Sequence, residues 1–262
     1  MDIKGVLRTA FILFCVMGRG SAIASPTLND FDRLDYEVSS KQSETSKKSF
    51  QRSLSGLYSI NSWRSSDIRQ PYSHFNALYQ VAPHAQEELS NLIKEVGMMT
   101  GNDVIIPDVK SKERALSKIE TELNGDASQI TDLARASIVA RDIPSLVQAF
   151  ELVGKESTLI AVKNRFKNPA PSGYRDLKVL VQLPETGMIA EVQLHLDAIS
   201  TVKSGPEHDI YEQIQHIERR AQHESRDLSE FELAQISQLR VTSQALYHDA
   251  WQQYLHPNRL AS

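Results

Sequence analysis

Between Lys163 and His195 the chain places three groups of chemically able residues in close succession. Lys163-Asn-Arg-Phe-Lys167 is a basic run, and Ser172-Gly-Tyr-Arg175 is a turn carrying an aromatic ring and a guanidinium. Glu191-Val-Gln-Leu-His195 carries a carboxylate, an amide and an imidazole at alternate positions. Cations neutralise phosphate, a ring beside a glycine can lie against a nucleobase, and a carboxylate oxygen suits a hard divalent cation. Upstream, Lys110, Arg114 and Lys118 recur every four residues, the spacing that lines one edge of a helix. A helix start adds free N–H groups that favour phosphate. Asp132 stands in a mostly apolar stretch, where a carboxylate is costly to bury unless a cation or hydrogen bonds compensate it. Asp132 and Glu191 make a sensible pair of strand carboxylates for one Mg²⁺ that bridges phosphate oxygens. The residues alone therefore suit phosphoryl or pyrophosphoryl transfer. A lone basic cluster on a helix is also what an ordinary solvated face looks like, and spacing does not separate the two.

The elements that must position these residues read as follows. Apolar residues from Leu78 to Val96 recur at threes and fours, which predicts a helix over 71–99 with a break at Pro83. Residues 104–107 are extended, and a helix over 112–123 closes on Asn124-Gly125, its apolar face formed by Leu116, Ile119 and Leu123. Residues 130–140 read as a strand that includes Asp132. Asp142-Ile-Pro144 opens a helix that Gly154 stops. Three strands follow, over 158–166, 177–183 and 188–194, the last two joined by Pro184-Glu-Thr-Gly187. Side chains alternate along a strand, so Glu191, Gln193 and His195 share one face, as do Lys163, Arg165 and Lys167. A helix from Pro206 and another over 228–254 complete the chain. Phe231, Leu233, Tyr247 and Trp251 of the last helix read as core.

Bulk properties narrow the function classes. The 262 residues suit one medium domain with appendages, and 40% apolar residues supply a core. A formal charge of -4 gives no general attraction to nucleic acid or membrane, so any cationic site is local. Residues 1–24 read as a secretory signal: Lys4 and Arg8, then an apolar run over 10–17, then Ala22-Ile-Ala24. Its removal takes three of the 29 basic and one of the 33 acidic residues, leaving a net -6. It also takes Cys15, the only cysteine, which excludes a thiolate nucleophile, a disulfide and a cysteine-bound metal from the exported chain. The Ser-, Asp- and Lys-rich stretch over 25–69 reads as a flexible leader.

The order of the motifs resembles the synthetase domain of RelA/SpoT-type alarmone enzymes. The resemblance runs from about Val104 to Tyr211. It rests on Val109-Lys-Ser-Lys-Glu-Arg-Ala-Leu-Ser-Lys118, Thr131-Asp-Leu-Ala-Arg-Ala-Ser137, Lys163-Asn-Arg-Phe-Lys167, Ser172-Gly-Tyr-Arg-Asp176, Glu191-Val-Gln-Leu194 and Glu207-His-Asp-Ile-Tyr211. It implies an α/β (α+β) fold: a nucleotidyltransferase-like mixed β-sheet flanked by helices, here with extra N- and C-terminal helices, over 70–262. It also implies transfer of pyrophosphate from ATP to the ribose 3′-hydroxyl of a nucleotide, GDP/GTP or ADP/ATP. By the same resemblance Asp132 and Glu191 are catalytic and bind Mg²⁺, while Lys110, Arg114 and Lys118 hold donor phosphates. Tyr174, Lys163, Arg165, Arg175, Gln193, His195 and His208 then line the acceptor site.

Several positions depart from the family pattern. Asp108 and Ser137 stand where arginines are usual, Arg135 replaces a glycine, and Arg114 replaces a serine. On a regular strand Arg135 would point away from Asp132. His195 replaces an arginine and introduces a group able to titrate near neutral pH. Exported members of the family resemble toxins or effectors. The sequence therefore predicts an exported, synthetase-only pyrophosphokinase. A nucleotide- or alarmone-binding module without transfer, and a pyrophosphokinase acting on tRNA, stay open as alternatives. The net negative charge weighs against extensive tRNA contact.

Overall fold

The computed structural model describes residues 53–255. The expected signal over 1–24 and residues 25–52 of the expected leader lie outside the described residues. Among the described residues, no helix is long and apolar enough to cross a membrane.

The architecture is a six-stranded mixed sheet flanked by helices, as the family resemblance implies. Residues 53–59 form helix α1. The remaining elements are β1 (Trp63–Arg64), α2 (Phe75–Thr100), β2 (Asp103–Ile105), α3 (Lys112–Glu122), β3 (Arg135–Ala140), α4 (Ile143–Glu156), β4 (Thr158–Asn164), β5 (Leu177–Gln182), β6 (Ile189–Leu196), α5 (Asp197–Ser204), α6 (Pro206–His223) and α7 (Glu230–Leu255). The strand order is β1-β4-β5-β6-β3-β2, and only the β3–β6 pair is parallel.

One face of the sheet is the core. Ala136, Ile138 and Ala140 of β3, Val192 and Leu194 of β6, and Val179 and Val181 of β5 pack with Leu89 and Ile93 of α2 and Leu146, Ala149 and Val153 of α4. Each fully buried aliphatic side chain contributes about 1.5–3 kcal/mol. The opposite face follows from the register. Arg135 pairs with Glu191, which pairs with Leu180; Ser137 pairs with Gln193, Gln193 with Lys178, and Lys178 with Lys163. Register partners project to the same side of a sheet. This second face therefore gathers the polar residues.

Several sequence expectations change. Residues 53–69 belong to the domain rather than to a leader. Leu57 is fully buried, Trp63 pairs with Val162, and Ile68 packs on Leu180 and Ile189. Scattered apolar residues in a Ser-rich stretch escape a periodicity argument, because the strand is two residues long. The break at Pro83 does not occur: α2 runs through it. Leu78, Ala82, Ala85 and Leu89 form one buried stripe across the proline. That stripe outweighs the roughly 3 kcal/mol cost of an interior proline. Helix α4 likewise passes Gly154 and ends at Glu156. On α3, Ala115 and Ile119 are buried while Leu116 is exposed. On α7, Tyr247 and Trp251 are core as expected and Tyr254 joins them, but Phe231 is 77% exposed and Leu233 is also exposed. The early turns of α7 lie against α6 through Ile236 alone among its fully buried apolar residues. Helix α5, which precedes Pro206, has no counterpart in the sequence reading.

Candidate active site

Asp132 does not lie in the sheet. The ladder begins at Arg135, after a 3-10 turn over Ala127–Gln129 and a loop. The apolar residues that continue on both sides of Asp132 conceal that boundary. Two features pin the loop: Lys110 N donates to Leu133 O (3.0 Å), and buried Gln70 donates to both Ile130 O and Ile189 O while accepting from Ile189 N. One side chain thus ties the approach to Asp132 to the start of β6, two residues before Glu191. Gln86 of α2 adds a second tie, exchanging two hydrogen bonds with the backbone of Arg135.

Asp132 Oδ2 accepts from Lys110 Nζ at 2.9 Å and from Lys118 Nζ at 2.8 Å. Lys110 directly precedes the α3 N-cap Ser111 and Lys118 lies two turns into the helix, so one helix start delivers both ammonium groups. Burial alone pushes the Asp132 carboxyl up, but the hydrogen bonds and charges of Lys118 and Lys110 outweigh it and hold the group below its ordinary range. Asp132 Oδ1 is buried without a hydrogen-bond partner. Arg114, expected to join the two lysines, is exposed and does not reach Asp132.

Glu191 is buried on β6. Its Oε2 accepts from Lys178 Nζ at 2.6 Å and its Oε1 from Gln193 Nε2 at 2.7 Å. Glu191 N donates to Ala134 O (3.1 Å), which brings the start of β3 alongside. The register also places Arg135 on the Glu191 face. Because Asp132 is off the strand, the parity argument that turned Arg135 away does not apply. The Arg135 Nε is buried with no hydrogen-bond partner.

A third cluster lies farther along the same face. Strand β4 ends at Asn164, so Arg165 and Lys167 occupy a turn rather than sharing a strand face with Lys163. Arg165 reaches the fully buried Asp176 (2.7 Å), and its guanidinium lies 5.7 Å from the Tyr174 ring centroid. The Tyr174 hydroxyl donates to Asp176 Oδ2 (2.9 Å) and lies 2.6 Å from His195 Nε2. With that hydrogen committed to Asp176, His195 must donate from Nε2, leaving its buried, unpartnered Nδ1 as a bare lone pair. Burial pushes His195 down to about 3, with help from the charges of Lys203 and Arg165. The imidazole is therefore neutral at physiological pH, contrary to the titrating group expected from sequence. Burial likewise raises Tyr174 and Asp176. The Tyr174 ring is half-buried, set edge-on to Tyr247 at 5.5 Å. Gly173 makes the turn that presents it: its φ is +85°, and a Cβ there would lie 3.1 Å from Gln244 Cα.

Three expected acceptor residues stand apart. Lys163 is exposed on the polar face. Arg175 turns the other way, with its guanidinium 5.2 Å from the Trp251 ring centroid and donating to Phe166 O. It lines a surface pocket of about 560 Å³ with Gly173, Gln244, His248 and Asp249, which includes neither Asp132 nor Glu191. His208 is exposed near Glu212, while its neighbour Glu207 turns inward to accept from Ser243 Oγ and Tyr247 OH. Sequence reasoning missed Lys178, Asp176 and Lys203 as parts of the site. Lys178 could have been found from the turn at 184–187, which sets its register against Gln193.

Among the described residues, no group of three or more His, Cys, Asp or Glu could hold a metal ion. Asp132 with its free buried Oδ1, and Glu191 with two ionic oxygens, nevertheless fit Mg²⁺, which takes one or two protein carboxylates and fills its other positions with water and phosphate.

No family model matches the chain. Over 121 residues, 46% of its length, it is 27% identical to the (p)ppApp synthetase toxin Tas1 of Pseudomonas aeruginosa. The match covers 27% of that toxin, so the chain spans about a quarter of the length of this curated relative. Its fold is similar to that of the Type VI effector Tas1 crystallised with its immunity protein (TM-score 0.51, 22% identity, 68% of this chain and 96% of that one). It is also similar to small alarmone synthetase 2 of Bacillus subtilis (0.53, 19%, 71% and 96%). Small alarmone synthetase 1 of the same organism, bound to its product pppGpp, gives 0.55 at 15% identity over 71% and 95%. The described residues thus share the fold of the alarmone synthetases to which they are similar.

Proposed function

We propose that this chain is a Mg²⁺-dependent pyrophosphokinase that moves the terminal pyrophosphate of ATP to the ribose 3′-hydroxyl of a nucleotide. One observation carries the reading: a buried carboxylate with a free oxygen and two lysines, Asp132, adjoins a strand whose register partner presents a second held carboxylate, Glu191. Asp132 and Glu191 would hold Mg²⁺, which when bound supplies charge neutralisation across the donor phosphates. Lys110 and Lys118 each have three donors and only one committed here, so both retain capacity for donor phosphate oxygens. Glu191, kept as an acceptor by Lys178 and Gln193, takes the proton of the 3′-hydroxyl. The hydroxyl oxygen forms a bond to the β-phosphorus as the α–β bridge breaks, and AMP leaves. Tyr174, fixed at its hydroxyl, orients the acceptor base.

The acceptor is a guanine or adenine nucleotide. Tas1 is described as a (p)ppApp synthetase and small alarmone synthetase 1 was crystallised with pppGpp, so both base classes occur among similar proteins. Export by residues 1–24 and action as a toxin inside another cell are part of the proposal, and the toxin and effector descriptions of Tas1 support it. A protein inhibitor comparable to the Tas1 immunity protein follows as a partner. A second reading, nucleotide binding without transfer, draws on Asp108 and Ser137 in place of donor-contacting arginines. Arg135 weighs against it, because the register puts a replacement cation on the Glu191 face.

The test uses γ-labelled ATP, Mg²⁺ and separate pools of GDP/GTP, ADP/ATP and tRNA. Label should pass to one nucleotide pool and not in Glu191→Gln. Tight nucleotide binding with no transfer by the wild type would sink the enzyme reading, and label on tRNA would replace the acceptor.

A further inference from the structure

We infer that Lys203, on the last turn of α5, is a positioning residue that sets the orientation of the Gln193 amide and, through it, the catalytic carboxylate Glu191; the inference rests on the transfer reading above. Lys203 Nζ donates to Gln193 Oε1 at 3.1 Å, and Gln193 Nε2 donates to Glu191 Oε1 at 2.7 Å. Lys178 Nζ donates to the other carboxylate oxygen, Oε2, at 2.6 Å.

The logic is one of donor count. A carboxamide has an oxygen at one end and an N–H₂ group at the other, and the two orientations occupy nearly the same space. Toward Glu191 they differ in sign: one gives the carboxylate a donor, the other faces it with a second acceptor. An ammonium has three donors and no acceptor, so Lys203 accepts only the orientation in which Gln193 turns its oxygen away from Glu191. The lysine thereby removes the choice. Its amine is half-buried on the same face; burial pushes it below its ordinary range, with Arg135 helping, while the charges of Asp176, Glu191 and Glu207 act to keep it protonated. Glu191 then has a donor on each oxygen, which fixes its plane. Lys178 bonds the other carboxylate oxygen, so its bond does not set the Gln193 amide.

Neither local spacing nor the motif around Glu191 reveals this role. Lys203 lies ten residues beyond Gln193, on a helix that turns back over the strand from which it leaves.

The test compares wild type, Lys203→Met and Lys203→Arg as full-length ¹⁵N-labelled protein without nucleotide, reading solvent exchange of the Gln193 side-chain amide. In the wild type and Lys203→Arg one Gln193 N–H is protected by its bond to Glu191. In Lys203→Met that protection should fall roughly tenfold or more, with the fold retained by circular dichroism, as the hydrogen bond from Gln193 to Glu191 loosens. In transfer assays kcat should fall by about ten- to a hundredfold, the scale of a displaced catalytic group, with KM for both nucleotides held within about twofold. Gln193→Leu with Lys203→Met should be no slower than Gln193→Leu alone. Unchanged amide exchange in Lys203→Met overturns the inference, as do losses that add fully in the double variant. If wild type transfers nothing, the transfer reading fails while amide exchange still decides the role of Lys203.

Discussion

At the Asp132 end of the polar sheet face, the carboxylate is balanced by two lysines from a helix outside the sheet, and one of its oxygens stays buried and unpartnered. At the Tyr174–His195 end, every oxygen of Asp176 and Tyr174 is committed inside the protein, and the imidazole is neutral. The first arrangement leaves coordination capacity for a ligand and a metal. The second is a wall in which Arg165, Asp176 and Tyr174 satisfy one another, while the buried His195 Nδ1 goes without a partner. Burying an unpaired polar atom costs free energy, so the free Oδ1 is a feature that folding alone does not favour. Under the proposed function, the contrast separates the end that would exchange ligands from the end that would give a base a rigid surface. Departures from the family pattern fall at both ends: Arg135 is the register partner of Glu191, and His195 lies against the Tyr174 hydroxyl.

The contrast breaks most visibly at Asp132. Asp132→Asn should lower pyrophosphate transfer on the order of 10²–10³-fold, the scale of removing one preorganised electrostatic group. Initial rates at saturating ATP measure it, with circular dichroism as the control for folding. A loss under about threefold would place the metal chemistry elsewhere.

Lys118→Met should be felt in stability. It removes one charged hydrogen bond from a buried carboxylate, which costs about 1.5–3 kcal/mol at pH 7 by denaturant titration. The sign with pH follows from the low folded-state value of Asp132. Its contribution is present above the unfolded value of about 3.9 and is lost as pH falls through the folded value. The gap between wild type and variant should therefore close in acid. A gap independent of pH would mean that Lys118 acts by packing its stem.

The closed end responds to pH in a different window. Unfolded histidine titrates near 6.5, and folded His195 near 3. Between those values the unfolded chain binds the extra proton, so this group's contribution is full above about 6.5 and declines as pH falls toward 3. From pH 7 to pH 5 it removes about 2 kcal/mol, and His195→Gln, which keeps a donor for the Tyr174 hydroxyl, should lose that slope. The smallest effect belongs to Arg114→Ala. The side chain is exposed and away from Asp132, so unfolding free energy should stay within about 0.5 kcal/mol of wild type.

Much of this site was legible in the sequence because strands alternate. That rule put Glu191, Gln193 and His195 on one face, and the coordinates agree. Lys110 and Lys118 were grouped by helical spacing, and they do converge, though on a carboxylate whose loop was taken for strand. What the sequence withheld was long-range. Gln70 acts across the fold, and Lys203 reaches Gln193 from the helix after its strand, so no single periodicity links either pair. The protonation state of His195 depends on burial from several elements at once. Arg165 and Arg175 illustrate the limit of motif reasoning: ten residues apart, both basic, one turned to Asp176 and the other to Trp251.

The most direct test of the central claim counts both products of one reaction. Wild-type protein with ATP, Mg²⁺ and the acceptor nucleotide should yield AMP and 3′-pyrophosphorylated nucleotide in equal molar amounts, and Glu191→Gln should yield neither. AMP without the second product, or undiminished transfer by Glu191→Gln, would contradict the account.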